Sequence, residues 1–242
     1  MIDAYSHVDM DHKSPLDDID SRRRGAGITK VLLVETWNGA NRTLLESLLA
    51  SSAGTPFSVV LCHRGGPASN LSSLLRTARL AGIRISARHV LPDDEVCRGI
   101  HETGKLLVAH ADDGIGPLAL NLERLLQALP GSRIYVPHLG WPIRNGEEDP
   151  AWRSAISSLA SNSSVILGIS AISTFSALPF PHEDVGELAQ WAIPLFSPAR
   201  IVIGSDYPLL EKSRYPDYLS LARDWVAAVY PDWTCPFEEI TV

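Results

Sequence analysis

Four titratable residues carry the chemistry in this 242-residue chain: His7, His110, His138 and Asp206. Each stands at or just past the end of a short apolar run, in "MIDAYSHVD", "KLLVAHA", "RIYVPHLG" and "RIVIGSDYP". A lone histidine at the end of a strand is usually a hydrogen-bonded structural residue. Three of them with an aspartate, all at the same end of their runs, read as one shared site, because clustered titratable groups in a cleft mark function. The opening run adds a puzzle. A regular strand places Tyr5, His7 and Asp9 on one face, with Asp3 in phase.

The positioning elements are legible around these residues. Eight strand candidates recur along the chain, at residues 1–9, 30–36, 57–64, 82–87, 105–111, 133–140, 165–173 and 200–208. Most are rich in Val, Ile and Leu, as strands covered on both faces should be. Helical patterns separate them. Leucines 44, 45, 48 and 49 repeat at helical spacing, the stretch 68–82 does the same and stops at Gly82, and 117–131 ends on a Pro-Gly signal. Further helices are expected over 149–162, 182–196 and 215–230, with a weakly amphipathic one over 92–104 and a short one over 15–24 of the polar first connection. Strictly alternating strands and helices predict an α/β fold, a (β/α)8 TIM barrel forming a single domain over residues 1–242. A doubly wound open sheet is the runner-up, but no GxGxxG follows the first strand. In a closed parallel barrel all strand ends meet at one mouth, where active sites lie.

Composition narrows the partners. A net charge of −7 speaks against nonspecific binding to nucleic acid or anionic membranes, though not against a small anionic substrate. Cys62, Cys97 and Cys235 form no CxxC pair, so a reducing, cytoplasmic setting is expected. The start lacks the pattern of a signal peptide and no apolar run reaches membrane-spanning length. The expected partner is a small molecule; a homo-oligomer stays open.

The motifs resemble one family. "MIDAYSHVD" is similar to the Asp-Ala-His-x-His opening of the amidohydrolase superfamily, "VPHLGWP" to its strand-6 His-x-Gly-Pro segment, and "IVIGSDYP" to the Gly-Ser-Asp-aromatic-Pro segment of its amidohydrolase-related branch. "GIRIS" resembles a Gly-apolar-Arg segment of that branch. The resemblance covers residues 1–208. It implies a barrel enzyme acting on small, often carboxylated molecules: a lactonase, decarboxylase or hydratase. It also implies a divalent metal, by its donors zinc, on His7, His110 and Asp206, with a position open for water. Asp206 would then take the water's proton and His138 would stabilise the oxyanion.

Two departures stand out. Tyr5 replaces the family's first strand-1 histidine, and a phenol with a pKa of about 10 is a poor substitute ligand. Metal-free hydrolysis therefore stays beside the metal reading, with Asp206 as general base and Tyr5 donating a hydrogen bond. The family's C-terminal Gly-Asn-Ala-x-Arg helix is also missing from the tail "DWTCPFEEITV".

The expected substrate-binding residues are Tyr5, Arg64, Arg88, His89 and Trp141. Arg64 and Arg88 fall just past strand ends, where a guanidinium fork can dock a carboxylate. Arg84 lies earlier in its strand and reads as structural. Gly65 and Gly66 of "HRGGP" offer backbone amides to a ligand, and Trp37 and Trp141 offer pocket walls or covers for the mouth. Glu35 reads equally as a pocket residue or a partner of the following helix. His12, His101 and His182 read as surface or capping residues. The leading function is hydrolysis of a small carboxylated lactone or related amide. The rivals are a metal-dependent decarboxylase or hydratase, and a barrel that binds a ligand without chemistry.

Overall fold

A computed structural model describes residues 1–51, 54–65, 71–111 and 114–236. Eight parallel strands form one sheet in chain order: β1 (Ile2–Ser6), β2 (Lys30–Val34), β3 (Phe57–His63), β4 (Leu80–Ser86), β5 (Leu106–His110), β6 (Arg133–Val136), β7 (Val165–Ile169) and β8 (Ile201–Ile203). The sheet curls until its edges meet. Asp206 N–H donates to Tyr5 O (2.8 Å) and His7 N–H to Tyr207 O (2.7 Å), which brings the end of β8 against β1. The result is a (β/α)8 barrel.

Two apolar layers hold it. Inside the barrel, Ile2, Leu32, Val60, Leu106, Val108 and Val202 pack with Tyr5 and Tyr135. Outside, alternate strand residues such as Val31, Leu33, Ile83, Leu107 and Ile134 meet the helices. Burial on both faces explains the near-continuous apolar runs of these strands. The close approach of β1 and β8 has a specific requirement. A Cβ on Gly204 would lie 2.7 Å from both the backbone nitrogen and the Cβ of Tyr5, so only glycine fits there.

The helices are α1 (Pro15–Gly25), α2 (Arg42–Ala50), α3 (Leu71–Leu75), α4 (Glu95–Glu102), α5 (Ile115–Ala128), α6 (Trp152–Ala160), α7 (Ile172–Phe175), α8 (Glu183–Ala192) and α9 (Tyr215–Val229). In α1 a proline opens the first turn, Asp17 and Asp18 sit at the positive end, and Arg22, Arg23 and Arg24 at the negative end. That charge arrangement makes a helix from a polar connection. In α4, Asp94 caps the N-terminus by accepting from Val96 N (2.8 Å), and Val96, Cys97 and Ile100 are buried.

Several local expectations change. The helical pattern of 68–82 does not run to Gly82: α3 ends at Leu75 and β4 begins at Leu80. Residues 68–70 lie outside the described residues. Gly82 sits within β4, where an added Cβ would lie 2.3 Å from Leu106 O; the glycine permits strand contact and does not stop a helix. The run 165–173 divides into β7 and α7. An unforeseen hairpin pairs Ile143–Arg144 with Glu147–Glu148. Its turn residues Asn145 and Gly146 both have positive φ (54° and 83°), as an Asn-Gly hairpin turn requires. No helix among the described residues is long and apolar enough to cross a membrane.

The first strand is also irregular. Three β1 residues span the step that two β2 residues cover, since Asp3 pairs with Val31 and Ser6 with Leu33. This bulge breaks the alternation. Ala4 and Tyr5 both join the barrel interior. Asp3 turns instead to Ser205 and to Tyr215 of α9, so it is not in phase with Tyr5 and His7.

Candidate active site

The mouth is built from strand-end side chains, most of them buried. His7 follows β1. Its Nδ1 lies 2.7 Å from Val34 O. A carbonyl only accepts, so Nδ1 carries a proton and the ring is fixed with Nε2 directed elsewhere. Nε2 lies 3.5 Å from Asp206 Oδ1. That is long for a direct hydrogen bond. Two such acceptors suit a single water that donates one hydrogen to each.

Asp206 is held from several sides. Its φ of +61° puts it in the left-handed region, which aspartate tolerates better than most residues. Its neighbour Ser205 donates both N–H (2.9 Å) and O–H (2.7 Å) to Asp3, and Ser205 Oγ accepts from Tyr207 N–H (3.0 Å). Tyr207 O–H donates to Asp18 of α1, and Lys212 pairs with Asp9 after β1. The Gly-Ser-Asp-Tyr corner is thus tied to both ends of the first βα unit.

His138 opens a run of left-handed residues, His138, Leu139, Gly140 and Trp141. Each non-glycine member of such a run costs roughly 1–3 kcal/mol, and such strain gathers at functional sites. Ser170 Oγ accepts from His138 N–H (3.1 Å) and lies 2.9 Å from His138 Nδ1. With the serine proton on that second contact, Nδ1 accepts and Nε2–H is the donor. Burial, helped by His110, Arg84 and His7, holds the His138 pKa well below its ordinary value, so the ring stays neutral. Ser170 escaped sequence reading because serine is common and its role depends on a neighbour 32 residues away. Replacing Ser170 by Ala is expected to lower kcat by about 10–100-fold with KM little changed, because the imidazole loses its orienting partner. Steady-state kinetics on the folded variant checks this.

Aromatic rings join these groups. The Tyr5 ring lies 4.4 Å from His138 and 5.4 Å from His7, edge-on to both. His110 lies 6.3 Å from His138, and Trp141 lies 5.0 Å from His110 and 5.6 Å from His138. Trp37 is parallel to His110 within 14°, at 6.1 Å. The structure therefore brings Tyr5, His7, His110, His138, Trp141 and Asp206 to one mouth.

Arg84 belongs there too, unlike its sequence reading. Because β4 starts at Leu80, Arg84 lies in the second half of the strand, and its long side chain reaches the mouth. It is only 6% exposed, with its guanidinium 6.0 Å from the Tyr5 ring centroid and 5.5 Å from that of Trp37. Its Nη1 donates to Glu35 O (3.3 Å), while Nε has no hydrogen-bond partner among the described residues.

The other expected binders sit differently. Arg64 pairs with the buried Glu35 carboxylate and donates to Trp37 O (2.9 Å). Glu35 also binds Arg42 of α2 (2.9 Å) and accepts from Cys62 N–H (2.6 Å). It is a clamp joining β2, β3 and α2. Arg88 is exposed, and His89 is half-buried with its ring 6.2 Å from His63. Gly66 lies outside the described residues. Burial pushes the Cys62 thiol up to about 11, so it is no nucleophile. His182 is the N-cap residue of α8, matching the capping half of its reading; it is buried and not at the surface, with Nε2 3.1 Å from Tyr218 O–H of α9. A cavity of about 950 Å³, lined by Met1, Thr29, Pro198, Tyr230 and Trp233, opens beside the strand starts, away from these titratable groups.

A family sequence pattern described as amidohydrolase matches residues 5–232. The chain belongs to this amidohydrolase family. Solved structures share the fold. A putative 2-pyrone-4,6-dicarboxylic acid hydrolase from Pseudomonas putida superposes with a TM-score of 0.74 at 18% identity, covering 99% of this chain and 96% of its own. An amidohydrolase from Burkholderia multivorans with bound zinc gives 0.72 at 16% identity, covering 99% and 98%. A 2,6-dihydroxybenzoate decarboxylase from Rhizobium gives 0.58 at 13% identity, covering 93% and 94%. No curated protein matches the chain by sequence.

The amidohydrolase family raises the question of zinc, whose catalytic sites need three converging protein donors. Among the described residues, no group of three or more His, Cys, Asp or Glu side chains is placed to hold an ion. At the position where the resemblance implies a further imidazole donor stands Tyr5, a weak oxygen donor whose ring is edge-on to both His7 and His138. Among the described residues, then, no three-donor set of the kind a catalytic zinc needs is assembled.

Proposed function

We propose that this amidohydrolase opens a small carboxylated lactone, with Asp206 as general base on water. The observation that supports it most is the placement of the Asp206 carboxylate 3.5 Å from His7 Nε2, both buried at the mouth. A water donating to both acceptors keeps its lone pairs for attack on a carbonyl carbon. Asp206 takes one proton as the new C–O bond forms. The neutral His138 donates from Nε2–H to the carbonyl oxygen as negative charge develops there. Collapse expels the ring oxygen, which receives the proton held by Asp206, and the product is a hydroxy acid. Arg84 supplies a buried guanidinium for the substrate carboxylate, and Trp37 and Trp141 wall the ring. A pyrone dicarboxylate, named for one structural relative, is a lactone of this kind.

A panel of carboxylated lactones and unsaturated or aromatic acids, followed by ultraviolet absorbance and acid release, tests the proposal. Ring opening of lactones without carbon dioxide release is expected. Decarboxylation of the acids with inert lactones would replace this reading by its rival.

A further inference from the structure

The family resemblance implies zinc, yet the floor of this mouth is furnished otherwise. Tyr5 is fully buried and sits edge-on to both His138 and His7, at 4.4 and 5.4 Å between ring centroids. The position beside His7 that would supply a further nitrogen donor is thus taken by a phenol ring. A phenol is neutral near pH 7 and offers a metal only a weak oxygen donor. Its hydroxyl finds no hydrogen-bond partner among the described residues. A second obstacle is electrostatic. The buried Arg84 guanidinium lies 6.0 Å from the Tyr5 ring centroid, so a dication at this floor would meet a fixed positive charge at low dielectric.

We propose that Tyr5, with Arg84 above it, closes this barrel mouth to tightly bound divalent ions, and that Arg84 is its resident cation. Tyr5 then withholds a nitrogen donor beside His7, and its identity separates this chain from a zinc-holding barrel. The proposal rests on the same mouth as the hydrolase reading but is read out without substrate.

The test is zinc affinity of the full chain, measured by competition with a chromogenic chelator, for wild type and Tyr5→His. Wild type is expected to release zinc on desalting. Tyr5→His, which adds an imidazole donor beside His7, is expected to bind zinc at least about 100-fold more tightly. A thermal melt by circular dichroism confirms folding, and Tyr5→Cys supplies a second, smaller zinc donor if the histidine variant does not fold. Wild-type protein that retains zinc and loses it on His7→Ala would overturn the proposal, as would Tyr5 variants that bind no better than wild type. Such results leave Asp206 available as the base. Conversely, an Asp206→Asn chain that still turns over would remove the hydrolase reading while leaving metal exclusion intact.

Discussion

Asp206→Asn is expected to leave the barrel folded and to lower kcat for lactone opening by about 10²–10⁴-fold, the range for loss of a general base. The substitution is close to isosteric. Asparagine is also among the few residues that accept the left-handed backbone seen at this position, with φ of +61°. The bond from Asp206 N–H to Tyr5 O uses the main chain and survives. What disappears is the acceptor that can hold a proton. The amide still donates and accepts hydrogen bonds, so substrate binding should change less than turnover. Circular dichroism, denaturant unfolding and steady-state kinetics on the same preparation check this; full turnover in a folded variant would remove Asp206 from the mechanism.

A larger effect on stability is expected at Asp3. Desolvation raises its carboxyl pKa to about 6, overriding the bonds donated by Ser205, Tyr215 and the Tyr5 amide. In the unfolded chain an aspartate titrates near 3.9. The folded form therefore binds the proton more tightly. Its contribution to stability is full below about pH 4 and is lost as pH rises through about 6. A shift of about two units corresponds to a loss of roughly 3 kcal/mol. Asp3→Asn cannot ionise. Its amide keeps an oxygen for the two N–H donors, while the Ser205 and Tyr215 hydroxyls can rotate to accept. Urea unfolding at pH 4.5, 6 and 7.5 should show wild type falling relative to Asp3→Asn by about 2 kcal/mol across that range. Parallel stabilities at all three pH values would contradict the assignment. Asp18 and Asp184 are lowered and work in the opposite direction in both proteins, so the comparison cancels them. The barrel retains this costly carboxylate where it ties β1, Ser205 and α9 around the Asp206 corner.

All eight barrel strands were legible, because burial on both faces leaves apolar runs that survive without any knowledge of neighbours. The convergence of His7, His110, His138 and Asp206 was legible for a related reason: strand ends are countable, and barrel closure brings them together. Four features were not. The bulge after Asp3 leaves no mark on residue types, yet it takes Asp3 out of phase with Tyr5 and His7. Arg84 looked structural because its strand starts earlier than its apolar run suggests. Arg64 looked like a substrate fork because its position is right, but Glu35, from another strand, already holds it. Ser170 acts only through His138. In each case the deciding fact is a contact across the sheet, which a linear pattern does not encode.

The central claim is that His7 and Asp206, almost two hundred residues apart in the chain, act on one water. The most direct measurement is a double-mutant cycle on kcat for lactone opening, using His7→Asn, Asp206→Asn and the double variant. If both acceptors orient the same molecule, the double variant falls little below Asp206→Asn alone. Losses that multiply would show two independent roles and contradict the shared site.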